Sequence, residues 1–448
     1  MNFNSAFSAL LVAALASGCD RKLGPGTPAL DDSGTGDAVP PDVGIPPATA
    51  TLWIGATAQG IGDGSSYANR AAFSQLPTIV ASAGPGTAVL LAAGDAFTAA
   101  SLTLDHGGSA ADDLHRVTVR GANADGTPAF VTITGDRPSP HASGAAAGGT
   151  VFTVGPNASH LALAYLRFVN VGIAIHVTAS STPVTDLSIH DIKFANIRQL
   201  LDVRGPLTSS VIADVAGVGF SKGFIELSST PGSDHLVIQR VTADSAWQDG
   251  DWPVGVQIAG NTAAVANSFV TIANSTFSHI LLDYAGDNTQ YWQGDGVSTE
   301  EFDHHITISH VTVDGAGDAG FDLKSCTTVI KDSTVVDAKR SVRKHSGSCK
   351  DIVLVDGLVS RYPNKRGGTG GQAHVSASSG NITLTNSTLF DDHSAATIVL
   401  DAELESSGLA SALAVTSGAV TRLAAAPLTL TEGASTATIG SAVTVTVQ

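Results

Sequence analysis

A short apolar-x-apolar pattern, followed by a turn residue and a further apolar residue, repeats along most of this 448-residue chain. Successive copies begin about 22 to 36 residues apart, a spacing typical of solenoid proteins. The period of two within each copy predicts strands, and one copy is too short to bury its apolar face without stacking on its neighbours. The clearest copies begin at Leu161, Leu187, Leu236, Val270, Ile306, Thr328, Ile352 and Ile382, with a weaker one near Val211.

The composition suits closely stacked β structure. The chain has 48 Gly and only 5% aromatic residues, and small and β-branched residues, which favour strands, are abundant. Leucine-rich and helical repeats are excluded because their Leu/Asn and 3.6-residue patterns are absent. The 43% of apolar residues can bury a large core, and a net charge of −17 argues against a nucleic-acid binder. We therefore predict an all-β chain with one solenoid domain.

A short amphipathic helix is predicted at residues 69–83, followed by a strand at 88–93. Such a helix can cover the open end of a solenoid, which needs a cap. This cap, the repeats and the segments GDGV, GFDLKS and NITLTNSTLF resemble the pectate-lyase-like superfamily over roughly residues 50–400. The resemblance implies a single right-handed parallel β-helix with a short N-terminal helical cap, and we expect residues 401–448 to supply its final strands.

The N-terminus has the pattern of an export signal. The apolar run Ala6–Ala16 is too short to span a bilayer, and Ala16–Cys19 resembles the bacterial lipobox. We predict a lipoprotein-type signal peptide at 1–18, lipidation of Cys19, a disordered tether at 19–48 and the β-helix domain at 49–448. A non-lipidated secretory signal is the alternative, because residues 1–8 contain no Lys or Arg. The expected product is an exported monomer, anchored to the membrane by lipid at the cell surface or in the periplasm, or secreted.

Two cysteines, Cys326 and Cys349, each lie two or three residues before a predicted strand of successive coils. Stacked coils are about 4.8 Å apart, which is within the Cα separation that a disulfide tolerates. An exported protein would oxidise such a pair. We therefore predict a disulfide, with two free buried thiols as the alternative.

Aromatic and basic residues concentrate between residues 245 and 366. Two long coils hold three of the four Trp, and we predict sugar-stacking platforms there, the alternative being that these rings fill small cores of their own loops. Ten of the 23 Lys and Arg lie between 324 and 366, which suggests either a footprint for a polyanion or a solvated face. The predicted sugar-binding residues are Trp247, Trp252, Tyr291 and Trp292, with Tyr284 nearby.

Aligning four successive repeats (255–259, 296–300, 320–324 and 341–345) puts Val256, Val297, Phe321 and Val342 inside the solenoid. The alternate positions then share one solvent face. They are Ser298, Glu300, Asp322, Lys324, Arg343 and His345, with Asp295 and Asp318 at the strand entries.

Carboxylates beside Lys and Arg can support β-elimination on a uronate. We predict Lys324 as the base, with a pKa lowered by positive neighbours, Arg343 as the group that neutralises the substrate carboxylate, and His345 as the acid. Ca²⁺ is the other cation considered, with oxygen ligands from Asp295, Glu300, Asp318 and Asp322.

Lys324-Ser325, followed one coil later by Arg343-x-His345-x-Gly347, is similar to the Lys-Ser…Arg-His-Gly pairing of the alginate lyase and chondroitinase B family. This resemblance implies a Lys base, an assisting Arg and a nearby Ca²⁺. The leading prediction is a surface-anchored lyase acting on an acidic polysaccharide. The alternatives are a non-catalytic glycan-binding or surface structural β-helix, and a glycoside hydrolase with two carboxylates about 5 to 9.5 Å apart.

Overall fold

The computed structural model describes residues 48–110, 115–138, 148–248, 251–260, 262–282, 292–345, 352–361, 372–391, 397–404 and 409–448. The predicted signal peptide, Cys19 and nearly all of the predicted tether lie outside these ranges. No helix among the described residues is long and apolar enough to cross a membrane.

The described chain contains one α-helix, α1 (Leu76–Ser82), and short 3-10 turns at Tyr67–Asn69, Phe73–Gln75 and Ala263–Val265. Its strands, numbered in chain order, are β1 (Ala50–Gly55), β2 (Ala71–Ala72), β3 (Thr87–Ala92), β4 (Phe97–Thr98), β5 (Leu102–Leu104), β6 (Val117–Ala122), β7 (Val131–Thr134), β8 (Thr150–Val154), β9 (Leu161–Val177), β10 (Val184–Thr185), β11 (Ser188–Val203), β12 (Leu207–Val218), β13 (Gly223–Leu227), β14 (Asp234–Asp244), β15 (Val254–Ile258), β16 (Ser268–Ala273), β17 (Thr276–Ile280), β18 (Asp295–Thr299), β19 (His304–Ser309), β20 (Thr312–Ala316), β21 (Ala319–Leu323), β22 (Cys326–Lys331), β23 (Thr334–Val336), β24 (Arg340–Lys344), β25 (Ile352–Asp356), β26 (Val359–Arg361), β27 (Ala373–Ala377), β28 (Gly380–Thr385), β29 (Ser387–Phe390), β30 (Ile398–Ala402), β31 (Ser411–Arg422), β32 (Thr429–Thr431) and β33 (Thr436–Val447).

These strands pair in parallel on three faces of a right-handed parallel β-helix, which confirms the predicted fold. The first sheet runs from β1 to β33 and contains the apolar-x-apolar repeats, for example β16, β19 and β22. The second sheet includes β17, β20 and β23. The third sheet includes β11, β13, β15, β18, β21, β24, β27 and β30.

One coil shows how the core forms. Ile308 comes from the first sheet, Val313 from the second and Phe321 from the third, and all three side chains are fully or almost fully buried. Each stacks on an apolar residue of the next coil at the same register, so a continuous apolar core fills the inside of the solenoid. Apolar burial on this scale is the main source of the stability of the fold.

The turn residue of each repeat makes the corner between the first and second sheets. At this corner a single residue has a positive φ in coil after coil, a conformation that Asn, Asp, His and Gly adopt more readily than most residues. The corner residues include Asn274, His310, Asp332, Gly357 and Asn386, with φ between 44° and 72°. This local preference explains why the repeat carries a polar turn residue at a fixed offset.

The N-terminal cap is shorter than predicted. The expected helix at 69–83 is divided into the turn Phe73–Gln75 and the helix α1, which follow the short strand β2. Phe73 packs edge-to-face against Phe97 and Phe152 of the first coils, so this segment closes onto the core. The predicted strand at 88–93 is β3, and the C-terminal tail supplies β31 to β33, as expected.

Candidate active site on the third sheet

Polar residues form one row along the outer face of the third sheet. The predicted alignment of repeats is correct here, because Ser298 pairs with Asp322 and Asp322 with Arg343, while Val297 and Phe321 lie inside. The row extends further than the sequence alignment in both directions. Its members are His176, Asp202, Glu226, Gln257, Ser298, Asp322, Arg343, Ser376 and Asp401. We call this the polar row.

Three buried aspartates, Asp295, Asp318 and Asp322, lie beside the middle of the polar row. Burial raises the pKa of Asp295 well above its usual range, and the negative charges of Asp322 and Asp318 raise it further. One oxygen of Asp295 accepts a hydrogen bond from the backbone N–H of Ala319 at 2.9 Å. Its surroundings therefore favour the protonated form of Asp295 more than those of an ordinary aspartate do.

The pKa of Asp322 is shifted in the opposite direction. Burial would raise its pKa, but contact with His345 and the charges of Arg343 and Lys324 outweigh burial and bring the pKa to about 2. His345 Nε2 lies 3.0 Å from Oδ1 of Asp322, and Lys324 Nζ lies 3.7 Å from Oδ2. Asp322 is therefore a carboxylate over the whole physiological pH range.

Asp318 is held between two guanidinium groups. Nη1 of Arg343 donates to its Oδ2 at 3.0 Å, and Nη1 of Arg340 donates to its Oδ1 at 3.3 Å. The structure thus brings the predicted residues Asp318, Arg343 and Asp322 together, and adds Arg340, which the alignment had not singled out. The signal for Arg340 was its position at the entry of β24, in register with Ala319.

The expectation that positive neighbours surround Lys324 is wrong. Its Nζ lies 2.8 Å from Glu300 Oε1, and Asp322 is the next carboxylate. Burial would lower the pKa of Lys324, but Asp322 and Glu300 outweigh burial and raise it. The physical reason is that Glu300 of the preceding coil and Asp322 of the same coil both lie next to this ammonium group. Lys324 is therefore protonated and poorly suited to accept a proton at neutral pH.

Lys339 has the property expected of Lys324. Burial lowers the pKa of its ammonium group to about 8, and the charges of Arg340 and Arg343 act in the same direction against that of Asp318. Sequence reasoning counted Lys339 only as part of the basic block. Its burial depends on how the second and third sheets meet at this corner, which the repeat pattern does not specify.

The central members of the basic block between 324 and 366 do not form an exposed positive patch. Lys339 and Arg340 are buried, and Lys344 is 0% exposed, with Nζ donating to the backbone carbonyl of Lys324 at 2.9 Å. Several of these cations instead neutralise carboxylates within the site. Lys350, Lys365 and Arg366 lie outside the described residues.

The predicted aromatic platforms are only partly accessible. Trp252, just before β15, is 57% exposed, whereas Trp292 is buried. Trp247 packs against His279 with ring centroids 4.6 Å apart, as expected for a ring that fills its own corner. Tyr284 and Tyr291 lie outside the described residues. Trp252 is therefore the described tryptophan best placed to stack on a ligand at the entry edge of the third sheet.

Three of the four carboxylates predicted to bind Ca²⁺ are already opposed by cations or imidazole, and the fourth, Asp295, accepts a backbone hydrogen bond. Both oxygens of Asp318 face arginines, those of Asp322 face His345 and Lys324, and Glu300 faces Lys324. Within the part of the chain that the structure describes, no group of three or more His, Cys, Asp or Glu is arranged to hold a metal ion. As placed, this donor set does not suit Ca²⁺, and the proposed chemistry does not use this ion.

The predicted disulfide joins Cys326 and Cys349. Cys326 begins β22 and Cys349 lies outside the described residues, so the pairing stays a prediction.

No protein-family model and no curated protein matches the chain. Solved structures that resemble it include alginate lyase from a Paenibacillus species, with 13% identity, a TM-score of 0.41 and coverage of 89% of this chain and 100% of that one. GH136 lacto-N-biosidase from Eubacterium ramulus gives 10% identity, a TM-score of 0.49 and coverage of 89% and 68%. GH87 α-1,3-glucanase from Streptomyces thermodiastaticus gives 11% identity, a TM-score of 0.42 and coverage of 83% of this chain and 69% of that one. Similarities this distant concern the fold, and we base no functional argument on them.

Proposed function

We propose that the protein is a carbohydrate-active enzyme that cleaves a polysaccharide by hydrolysis on the outer face of the third sheet. The observation that carries this proposal is the pair Asp295 and Asp322, two buried carboxyl groups on adjacent coils whose pKa values are shifted in opposite directions. Environments that push the pKa values of two neighbouring acids apart are typical of sites with one acid and one carboxylate in different roles.

Glycoside hydrolysis needs a proton donor for the leaving oxygen and a carboxylate that activates water or attacks the anomeric carbon. Asp295, whose pKa is raised, would donate a proton to the glycosidic oxygen. Asp322 carries the negative charge, and it would act on the other side of the sugar ring. The polar row above and below the pair offers hydrogen-bonding groups along the helix axis, where a linear sugar chain can lie.

The cations of the site act on the carboxylates. Lys324 and His345 hold Asp322 in place and ionised, and Arg343 holds the side chain of Asp318 in place. They are positioning residues in this proposal. Their exchange for neutral residues would raise the pKa of Asp322 and remove the difference between the two acids.

A β-eliminating lyase is the second candidate, because Lys339 supplies a base that the sequence had placed elsewhere. With a pKa of about 8, Lys339 is neutral in a useful fraction of molecules near neutral pH. It lies at the entry of β24, close enough to Asp318, Arg340 and Arg343 for their charges to shift its pKa, and the two arginines are groups that can neutralise a uronate carboxylate. In this candidate Lys339, and not Lys324, would remove the C5 proton.

The two candidates are separated by their products. We would incubate the protein with neutral and acidic polysaccharides, and measure both new reducing ends and the ultraviolet absorbance of an unsaturated sugar. Hydrolysis predicts new reducing ends without the absorbance. Asp295→Asn and Asp322→Asn should abolish the formation of these reducing ends. The matched control is Asp314→Asn, an exposed aspartate on β20 of the second sheet. Absorbance that depends on Lys339 would support the lyase, and no cleavage of any polymer would contradict both.

We also propose that the protein is exported and anchored by lipid on Cys19. The support is the short apolar run and the lipobox-like Ala16–Cys19.

A further inference from the structure

A second charged cluster lies on the polar row, nearer to the N-terminus than the candidate active site. It is built by β9, β11 and β13 around Asp202 and Glu226, which pair in register on adjacent coils. Glu226 is three strands before Asp322 along the row, so the two clusters are about 14 Å apart along the solenoid axis at the usual strand spacing. Sequence alignment of the later coils did not include these residues.

Arg204 connects the two carboxylates. Its Nε lies 2.7 Å from Asp202 Oδ1, and its Nη2 donates to Glu226 Oε1 at 2.9 Å. The second oxygen of each acid has its own partner: His176 Nδ1 lies 2.9 Å from Asp202, and Lys222 Nζ lies 3.4 Å from Glu226. Gln199 Nε2 also donates to Glu226 at 3.0 Å. The acids are buried, while the side chains of Arg204 and Lys222 are partly exposed.

This cluster differs from the active-site cluster in the pKa of its buried aspartate. Burial would raise the pKa of Asp202, but His176 and Arg204 outweigh burial and lower it, so Asp202 is ionised at neutral pH. Two carboxylates, Asp202 and Glu226, face the cations Arg204 and Lys222. The pKa of Asp202 is lowered whereas that of Asp295 is raised, so binding fits this cluster better than acid catalysis does.

The exposed groups of the cluster are cationic and fixed in place. The side chain of Arg204 is 37% exposed, although two of its three guanidinium nitrogens are held by carboxylates, and Lys222 is 24% exposed. An arginine held in this way loses little side-chain entropy when it binds an anion, and its planar group suits carboxylate or sulfate oxygens. The acids beneath therefore orient the cations toward a ligand on the outer face.

We propose that Arg204 and Lys222 form a subsite that binds an anionic sugar unit, carrying a carboxylate or a sulfate, of a polysaccharide lying along the polar row. This inference rests on the proposed function and names its substrate class. A chain cleaved at Asp295 and Asp322 extends over three further coils to reach this subsite. The charge that selects the substrate is thereby separated from the groups that cleave it.

The test is direct binding to Asp295→Asn protein, which cannot complete the proposed hydrolysis. The probes are polygalacturonate, alginate and chondroitin sulfate, each beside its matched carboxyl-reduced or desulfated form. We expect at least one acidic polymer to bind, and Arg204→Met to weaken that binding about tenfold to a hundredfold, as the loss of charged hydrogen bonds does. Loss of binding on carboxyl reduction would identify a uronate, and loss on desulfation would identify a sulfate.

Two further variants keep the test interpretable. Lys222→Met removes an exposed cation without breaking the ion pairs of Arg204, and it should weaken binding in the same direction. Arg240→Met is the matched control, because Arg240 is exposed to a similar degree as Arg204 and pairs with Asp214 at a different corner. Unchanged affinity in both cluster variants, or binding of neutral polymers alone, would overturn the inference. Cleavage is measured in parallel with protein that retains Asp295. If that protein cleaves the polymer but the cluster variants bind with unchanged affinity, only the subsite is overturned. If binding depends on Arg204 but the protein with Asp295 does not cleave, only the proposed hydrolysis is overturned.

Discussion

At the scale of single residues, the chemistry of the site depends on which carboxyl group holds a proton. Asp295 and Asp322 are the same residue type on neighbouring strands of one sheet, and both are buried. What separates them is their neighbours: other carboxylates for Asp295, and His345 with two cations for Asp322.

Asp295→Asn should remove the proton donor with little effect on the fold. The amide can still accept the hydrogen bond from the N–H of Ala319, and the repulsion with Asp318 and Asp322 is lost. Hydrolysis should fall by about 10²- to 10⁴-fold, while the thermal unfolding midpoint stays equal or rises. Rates and unfolding curves measured beside those of Asp314→Asn check this. An equal loss of rate and stability would point to a structural role.

The pH dependence of cleavage should follow the two shifted acids. Asp322 must be ionised, and with a pKa of about 2 this limit lies below the usual range of aspartate. Asp295 must be protonated. Because its pKa is raised, activity should persist well above pH 4 and then fall as the pH rises through the pKa of Asp295. The pH profile of kcat/KM is the measurement. Activity that disappears as the pH rises through about 4 would show that Asp295 has an ordinary pKa.

The position of these residues could be predicted from the sequence, but their partners could not. Alternation within the repeats correctly put Ser298, Asp322 and Arg343 in one row. The pairing of Lys324 with Glu300 depends on the directions of two long side chains on adjacent coils, which alternation does not determine. The same is true of Lys339, whose pKa is set by burial at a corner.

At the scale of strands and sheets, glycine sets how closely the third sheet approaches the second. Gly255, Gly296 and Gly320 lie at one register position, each facing an apolar residue of the second sheet. A Cβ on Gly296 would lie 2.3 Å from Cγ2 of Val313 and 2.6 Å from the carbonyl oxygen of Gly320. This row of glycines brings β18 and β21, with their aspartates, against the core.

Gly296→Ala should therefore destabilise the protein by about 1 to 3 kcal/mol through overpacking. Val313→Ala removes one of the two clashing groups, so the double variant should be more stable than the sum of the single effects predicts. Chemical denaturation of all four proteins gives this coupling energy. Strict additivity would mean that the backbone shifts and that Val313 does not limit the space.

The strands themselves were the most predictable elements, because a period of two and a polar corner residue recur in nearly every coil. The cap was less predictable. Its apolar positions fit a single helix, but β2 and the turn at Phe73–Gln75 occupy part of that segment, and Phe73 packs directly onto Phe97. Contacts with the first coils thus override the local helical pattern.

At the scale of the whole molecule, the N-terminal sequence predicts that the protein is held on a membrane. Lipid on Cys19 should direct the protein to the membrane fraction, and Cys19→Ala should release it. Fractionation with mass spectrometry of the mature N-terminus checks both points. An unmodified N-terminus at another residue, with a soluble wild-type protein, would support the secretory signal instead.

The central claim is that the third sheet carries a hydrolytic carboxyl pair, and cleavage in isotopically labelled water tests it most directly. A substrate found in the polysaccharide panel would be digested in water enriched in heavy oxygen, and the products would be analysed by mass spectrometry. We predict one labelled oxygen at each new reducing end and no unsaturated sugar, with wild type and Asp314→Asn alike and with almost no product from Asp295→Asn. Unlabelled products that end in an unsaturated ring would contradict the claim, because they would show that the bond is broken by elimination.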